Sequence, residues 1–400
     1  MNKKLKLIIR ITLWCGLGIF GVFLIVNAVI ALRYSPEYAY RELFTDLGGV
    51  YDYRILPERK LTPAANPFQF NVDVSQEARV RAAFQADRRV PDMDAFLADT
   101  GTQAFLVIQN DQVIYERYFK GLQRDSVVTS FSVAKSFDSA LIGIAIQEGY
   151  IKSVDDPITG YIPEFLARDP RFRDITIRHL LTMASGLRYN TDRPGSFGDD
   201  NLTYGFNDLR HLALTETEVV EQPGQTFLYN NYNPLLLGLV LERATGRPVT
   251  TYLQEKIWTP LGMEYGGSWS LDSLESGFEK MESGINARAI DFAKFGRLYL
   301  KSGNWNGTQV VPADWVSASI QDNGLIQDAP IYYGYMWWGE KCNPAGQDFL
   351  AHGNFGQFIY ISPAKDLVVV RNGEGYGIES SGEEWAVWAD LFCQFAQRLP

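Results

Sequence analysis

Ser132-Val133-Ala134-Lys135 heads a segment running to Gly149 in which Val133, Phe137, Leu141, Ile144 and Ala145 recur at helical spacing. On a helix, positions i and i+3 share one face a turn apart. The Ser132 hydroxyl and the Lys135 side chain can therefore meet without loops to position them. A serine hydroxyl is almost inert until a neighbour takes its proton, and a lysine at this spacing can serve. The N-terminus of the helix adds unpaired N–H donors. Taken alone, the tetrapeptide also reads as a capping serine beside a solvated lysine. A second copy, Ser362-Pro363-Ala364-Lys365, lies with Asp366 between two β-like runs, and its proline marks it as hairpin punctuation.

Outward from this segment the pattern alternates. Gln103–Gln109 and Val113–Phe119 are β-rich runs around Asn110-Asp111, a hairpin signal. Asp155-Asp156-Pro157 marks a turn, and the chain from there to about Gly284 reads as helix and loop. Within it lie one helix from Asn233 to Ala244, stopped by Gly246, and another from Val249 towards Trp258. Ala289–Leu300 carries Phe292, Phe295, Leu298 and Tyr299 at core spacing. Short strands follow at Phe349–His352, Gln357–Ser362 and Leu367–Arg371, then an amphipathic helix over Glu384–Gln394. The order predicts an α+β body, a sheet split in sequence around a mostly helical insert at about 150–284.

With 400 residues, 46% of them hydrophobic, the chain can build a large core. A net charge of −10 with no basic block beyond the extreme N-terminus argues against a nucleic-acid surface. The three histidines, His179, His211 and His352, make no ligand-spaced cluster, so neither metal nor cofactor is expected. Three cysteines exclude a disulfide scaffold. Cys342 and Cys393 are left as one bridge or two buried thiols.

Ile11 to Leu32 is uncharged and long enough to cross a bilayer. Lys3, Lys4, Lys6 and Arg10 precede it and Arg33 follows. That bias predicts a cytoplasmic N-terminus, a single-pass inner-membrane anchor over residues 1–33, and a periplasmic or extracellular body. A cleaved signal peptide ending near Val29-Ile30-Ala31 is the competing reading. Residues 34–99, interrupted by five prolines and holding one candidate helix at Ser75–Arg89, read as a packed extension or linker without chemistry of their own. The globular body is placed at 100–400.

Tyr229-Asn230-Asn231 stands just before the Asn233 helix, and a tyrosine next to a lysine is a credible proton carrier. The bland alternative is a buried hydroxyl satisfied within its loop. Ser132-x-x-Lys135, Tyr229-x-Asn231 and His352-Gly353-Asn354 on a late strand follow one another as in the serine β-lactamase and penicillin-binding-protein family. From about Thr102 to Arg398 the chain resembles its class C β-lactamase branch, which includes esterases, D-aminopeptidases and 6-aminohexanoate-dimer hydrolases. Phe131–Phe137, Thr176–Met183, Gly284–Ala287 with Asp291–Gly296, and Gln357–Pro363 are similar to that branch as well.

The resemblance implies a β-lactamase-like antiparallel sheet flanked by helices. It implies Ser132 as nucleophile, Lys135 and Tyr229 as the base pair, and Asn231 as a polar orienter near Lys135 and substrate. It further implies an oxyanion hole from the N–H groups of Ser132 and Phe355, and a substrate-side role for His352 and Gly353. The third motif departs from the family pattern, which has lysine or histidine, a small residue and then glycine. Lys301-Ser302-Gly303 ends a helix before no strand and is rejected as its substitute, and His179 reads as structural. Two functions follow: a membrane-anchored serine hydrolase forming an acyl-enzyme on a small ester, amide or peptide, or a non-catalytic ligand-binding relative on the same fold. Tyr189, Tyr204 and Phe206, in the loop Asn190–Asn207 or beside it, are expected at the rim.

Overall fold

The computed structural model describes residues 3–45, 47–192, 195–327, 329–342, 347–378 and 383–399. Asn110 and Asp111, with φ of 50° and 60°, turn strand β2 (Thr102–Gln109) into β3 (Gln112–Tyr118). Two consecutive left-handed residues match the twist of a tight hairpin, and Asn and Asp bear that conformation at low cost. The remaining strands of this sheet are β1 (Asn71–Val72), β4 (Ile331–Tyr333), β5 (Trp338–Glu340), β6 (Asp348–Gly353), β7 (Gln357–Ser362) and β8 (Leu367–Gly373). The eight lie in the order β4-β5-β6-β7-β8-β2-β3-β1, antiparallel except for the short β1–β3 pair. The sheet thus joins chain from both sides of the helical insert, because β8 pairs with β2 from Leu367↔Gln109 onward.

Helices cover both faces, which is why β2 is buried along its whole length instead of alternating. Leu106, Ile108, Ile359, Ile361, Val368 and Val370 face one core layer. It includes helix α3 (Ala134–Gln147) and helix α6 (Ala289–Leu300), whose Phe137 and Phe295 rings stack at 3.6 Å. Phe105, Val107, Phe358, Tyr360 and Val369 face the other, against Trp388 and Phe392 of helix α7 (Glu384–Arg398). Cys342 and Cys393 are bonded, tying the end of β5 to α7, which replaces the alternative of two thiols.

Local differences from the sequence reading are small. Helix 132–149 begins with a 3-10 turn, Phe131–Val133. The helix of 75–89 is confined to Glu77–Gln85, and that from Val249 passes after Leu253 into a π turn, Gln254–Trp258. Helix α5 runs from Tyr232 to Thr245 and ends at Gly246, φ 68°.

Helix α1 (Lys3–Arg33) contains one stretch, Ile9–Arg33, long and apolar enough to span a membrane. Helix α2 (Pro36–Phe44) and the chain to residue 99 pack on the body: Tyr38, Leu61 and Phe70 lie in one core layer, Val80 and Phe84 in the other.

Candidate active site

Ser132 sits in the 3-10 turn that leads into α3, and its position begins with an irregular neighbour. Phe131 has φ 43°, a region that bulky side chains occupy only under constraint. Its ring is held against Phe355 (5.1 Å) and Tyr204 (6.3 Å). One turn on, the Lys135 ammonium donates to Ser132 Oγ at 2.9 Å and to the carbonyl oxygen of Glu282 at 2.7 Å. The side chain of Glu282 accepts in turn from Lys280 at 2.8 Å, and Lys280 donates to the Tyr204 carbonyl at 2.6 Å. Lys135 is therefore gripped from the opposite side of the site by a backbone oxygen whose own residue is anchored in a buried ion pair.

Three residues after Lys135, Asp138 is fully buried, and among the described residues its carboxylate oxygens have no hydrogen-bond partner. Burial pushes its carboxyl well above the usual range, with Glu282 and Glu279 adding and Lys135 opposing.

Tyr229 approaches from the loop before α5. Its ring lies under the Lys135 ammonium, 5.1 Å from Nζ to centroid, and stacks on Trp338 at 5.9 Å. The expected pair is adjacent, but the contact is made to the ring face: among the described residues no hydrogen bond joins the Tyr229 hydroxyl to Lys135 or Ser132. Asn231 precedes α5 and gives its amide N–H groups to the Tyr189 hydroxyl (2.9 Å) and Thr203 Oγ1 (3.3 Å). Its Oδ1 is buried without a partner among the described residues. The orienter expected beside Lys135 is thus tied to the 189–205 segment and makes no hydrogen bond to Lys135 among the described residues.

The third motif lies against the turn that carries Ser132. Gly353 ends β6, and a Cβ built there would fall 2.4 Å from Ser130 O, 2.9 Å from Ser132 N and 3.0 Å from Phe131 Cβ. Only glycine lets the strand come this close. Gly353 thus abuts the turn, and Asn354 and Phe355 follow in a bend where Phe355 has φ 61°.

His352 bonds the Tyr376 hydroxyl at 2.7 Å, its ring between Phe358 and Trp385, each 5.0 Å away. Burial, reinforced by the Lys135 charge, pulls the imidazole down to about 3, so it is neutral at physiological pH.

Ser132, Tyr229 and Asn354 line two adjoining clefts. One, of about 600 Å³, is bounded by Glu42, Asp200, Tyr204, Asn231 and Phe355. The other, of about 800 Å³, is bounded by aromatic side chains, chiefly Phe227, Trp338, Tyr376 and Trp385. Tyr189 and Tyr204 reach the first cleft as expected, but Phe206 turns into the core against Tyr34 and Tyr38. Residues 193 and 194 of that loop lie outside the described residues. Glu42, Leu47 and Gly48 at the cleft wall, and Glu383, were not foreseen. No periodicity or motif distinguishes them in the sequence.

The other candidates fall elsewhere. His179 caps its own helix, α4 (Ile177–Leu181), Nδ1 accepting from the Thr176 N–H at 3.1 Å. Ser362 ends β7 and donates to Asp348 at 2.8 Å, while Lys365 Nζ bonds the Leu399 carbonyl, so the second Ser-x-x-Lys makes no pair. Lys301 bonds Asp366 at 2.6 Å, away from the cleft.

A family model described as Beta-lactamase matches residues 93–374. Among curated proteins, a 6-aminohexanoate-dimer hydrolase from Paenarthrobacter ureafaciens is 28% identical over 312 residues, 71% of this chain and 75% of its own. A solved structure from Bacillus anthracis, provisionally described as a 6-aminohexanoate-dimer hydrolase, aligns with a TM-score of 0.74 at 24% identity, over 87% of this chain and 94% of its own. A penicillin-binding protein from Bacillus halodurans aligns with a TM-score of 0.58 at 18% identity, over 74% and 96%. The last two likenesses concern the fold.

Proposed function

The chain belongs to the beta-lactamase family, and from that premise we propose that it is a membrane-anchored serine hydrolase that cleaves an ester or amide through an acyl-enzyme on Ser132. The observation that carries this reading is the 2.9 Å contact between Lys135 Nζ and Ser132 Oγ at the floor of an open cleft.

With Lys135 as the neutral amine, the same contact runs in reverse. Ser132 Oγ attacks the substrate carbonyl carbon and its proton passes to Lys135. Charge on the carbonyl oxygen is met by the N–H groups of Ser132 and Phe355, the first in a turn start without a preceding helical acceptor and the second brought round by the bend after Gly353. Collapse breaks the bond to the leaving group, which takes a proton delivered through Tyr229. Water then attacks the ester carbon of acylated Ser132 and gives one proton to the again neutral Lys135, which passes it to Ser132 Oγ as the acid is released.

The relative named 6-aminohexanoate-dimer hydrolase supports a small ester, amide or peptide as substrate. His352, neutral and engaged with Tyr376, acts as a wall of the aromatic cleft and not as a proton carrier. The apolar α1 supports a single-pass membrane anchor, and Lys3, Lys4, Lys6 and Arg10 ahead of its apolar stretch support placing the body on the periplasmic or extracellular side.

The experiment is mass spectrometry of the full chain after exposure to a panel of activated esters and β-lactams. One acyl adduct on the peptide containing Ser132, absent from Ser132→Ala, is expected. Adducts elsewhere, or turnover by Ser132→Ala, would remove the assignment.

A further inference from the structure

The chain between the apolar helix and the catalytic body is not a leash. Ile30, in the last turn of α1, is 3% exposed and belongs to the same core layer as Tyr38 and Phe206. Arg33 pairs with Glu216 at 2.8 Å, and the Tyr34 ring meets Tyr38 at 5.7 Å and Phe206 at 6.2 Å. Ser35 then caps α2, accepting from the Tyr38 N–H at 2.9 Å. The inner face of α2 is bonded to the cleft wall: Tyr38 donates to the Ser196 carbonyl at 2.8 Å and Arg41 to the Gly205 carbonyl at 3.3 Å. Glu42, near its end, and Leu47 and Gly48 beyond it line the cleft of Ser132.

α2 begins at Pro36, just after the apolar span ends at Arg33, and its nine residues are about 14 Å long, so Glu42 lies within about one helix length of the end of that span. The outer face of α2 carries Tyr40 and Phe44, 58% and 71% exposed, with ring centroids 5.0 Å apart. Large aromatic side chains one turn apart and turned out of the body are favoured at the membrane–water boundary, where an apolar ring meets lipid.

From this continuity with the apolar helix we infer that the outer face of α2 rests on the bilayer surface through Tyr40 and Phe44 and holds the mouth of the cleft there. The enzyme then takes its substrate from the membrane: an amphiphile whose ester or amide bond sits at headgroup level. The inference rests on the acyl-transfer and anchor readings above. It adds that the body has one fixed seat on the membrane, built by α2.

The test uses the full chain reconstituted in vesicles of phosphatidylethanolamine and phosphatidylglycerol, with p-nitrophenyl acetate in solution and p-nitrophenyl palmitate in the bilayer. The double variant Tyr40→Ser/Phe44→Ser should lose about tenfold on the palmitate and keep its rate on the acetate, since burial of two aromatic rings is removed without touching the cleft. Tyr40→Trp/Phe44→Trp should retain both rates. Equal rates on the palmitate, or a parallel fall on both esters, would overturn the inference.

A second measurement does not depend on turnover. With Cys15→Ser as background, Phe44→Cys carrying a nitrobenzoxadiazole label should be quenched when the vesicles contain bromine-labelled lipid. An unquenched label would overturn the seat of α2. If the parent chain hydrolyses neither ester, the Ser132 reading fails, and the quenching alone decides this one.

Discussion

Gly353→Ala is the sharpest probe of how the third motif works, because its consequence follows from one measured approach. The added Cβ would lie 2.4 Å from Ser130 O and 2.9 Å from Ser132 N, both backbone atoms without a rotamer to escape into. To reach even 3.0 Å the end of β6 must retreat from the turn by about 0.6 Å. That displacement separates the two proposed oxyanion donors, Ser132 N–H on the turn and Phe355 N–H two residues after Gly353. A misplacement approaching 1 Å costs on the order of 10²-fold in rate. Overpacking should also cost about 1–3 kcal/mol of stability.

Gly296→Ala supplies the control. Its Cβ would meet Ile359 and Val368 at 2.7 Å, in the core between α6 and the sheet and away from Ser132. The assay is kcat and KM on one activated ester, with urea midpoints for both variants. Gly353→Ala should lose kcat far beyond its loss of stability, whereas Gly296→Ala should lose stability and change kcat by less than about threefold. Equal kcat in the two variants would refute the claim that Gly353 sets the distance between the donors.

Ser132→Ala should abolish turnover with an unchanged unfolding curve. Ser362→Ala should keep turnover but lose about 1 kcal/mol on denaturation, because Ser362 Oγ is buried and bonded to Asp348. Tyr229→Phe should slow acylation by about 10²–10⁴-fold and Lys135→Ala by at least as much. The double variant should be little worse than the worse single one, and strictly multiplicative losses would show that the two act independently. The buried carboxyl of Glu340 is pushed up to about 8 by burial, with Asp390 and Asp348 adding. Its folded pKa exceeds its unfolded one, so its contribution is full below about pH 4.5 and is lost as pH rises through about 8. Glu340→Gln should flatten the fall in thermal midpoint between pH 5 and 8.5, and an unchanged slope would count against it.

Much of this protein was written in short-range pattern. The hairpin at Asn110-Asp111, helix α6 at Ala289–Leu300 and strand β7 at Gln357–Ser362 emerge where the sequence places them, because period and turn chemistry act between neighbours along the chain. The Ser132–Lys135 contact belongs to the same class, since one helical turn positions both groups.

What only the tertiary structure decided lies between residues far apart in sequence. Gly353 abuts Ser130 and Ser132 across more than two hundred residues, and Cys342 is joined to Cys393. Asn231 gives its amide to Tyr189 and Thr203, and Tyr229 offers Lys135 its ring. Glu42 reaches the cleft from a segment that looked like a linker. None of these contacts has a period or a spacing to betray it. Each is fixed by how whole elements pack, a balance of burial and close approach that no local stretch of chain contains.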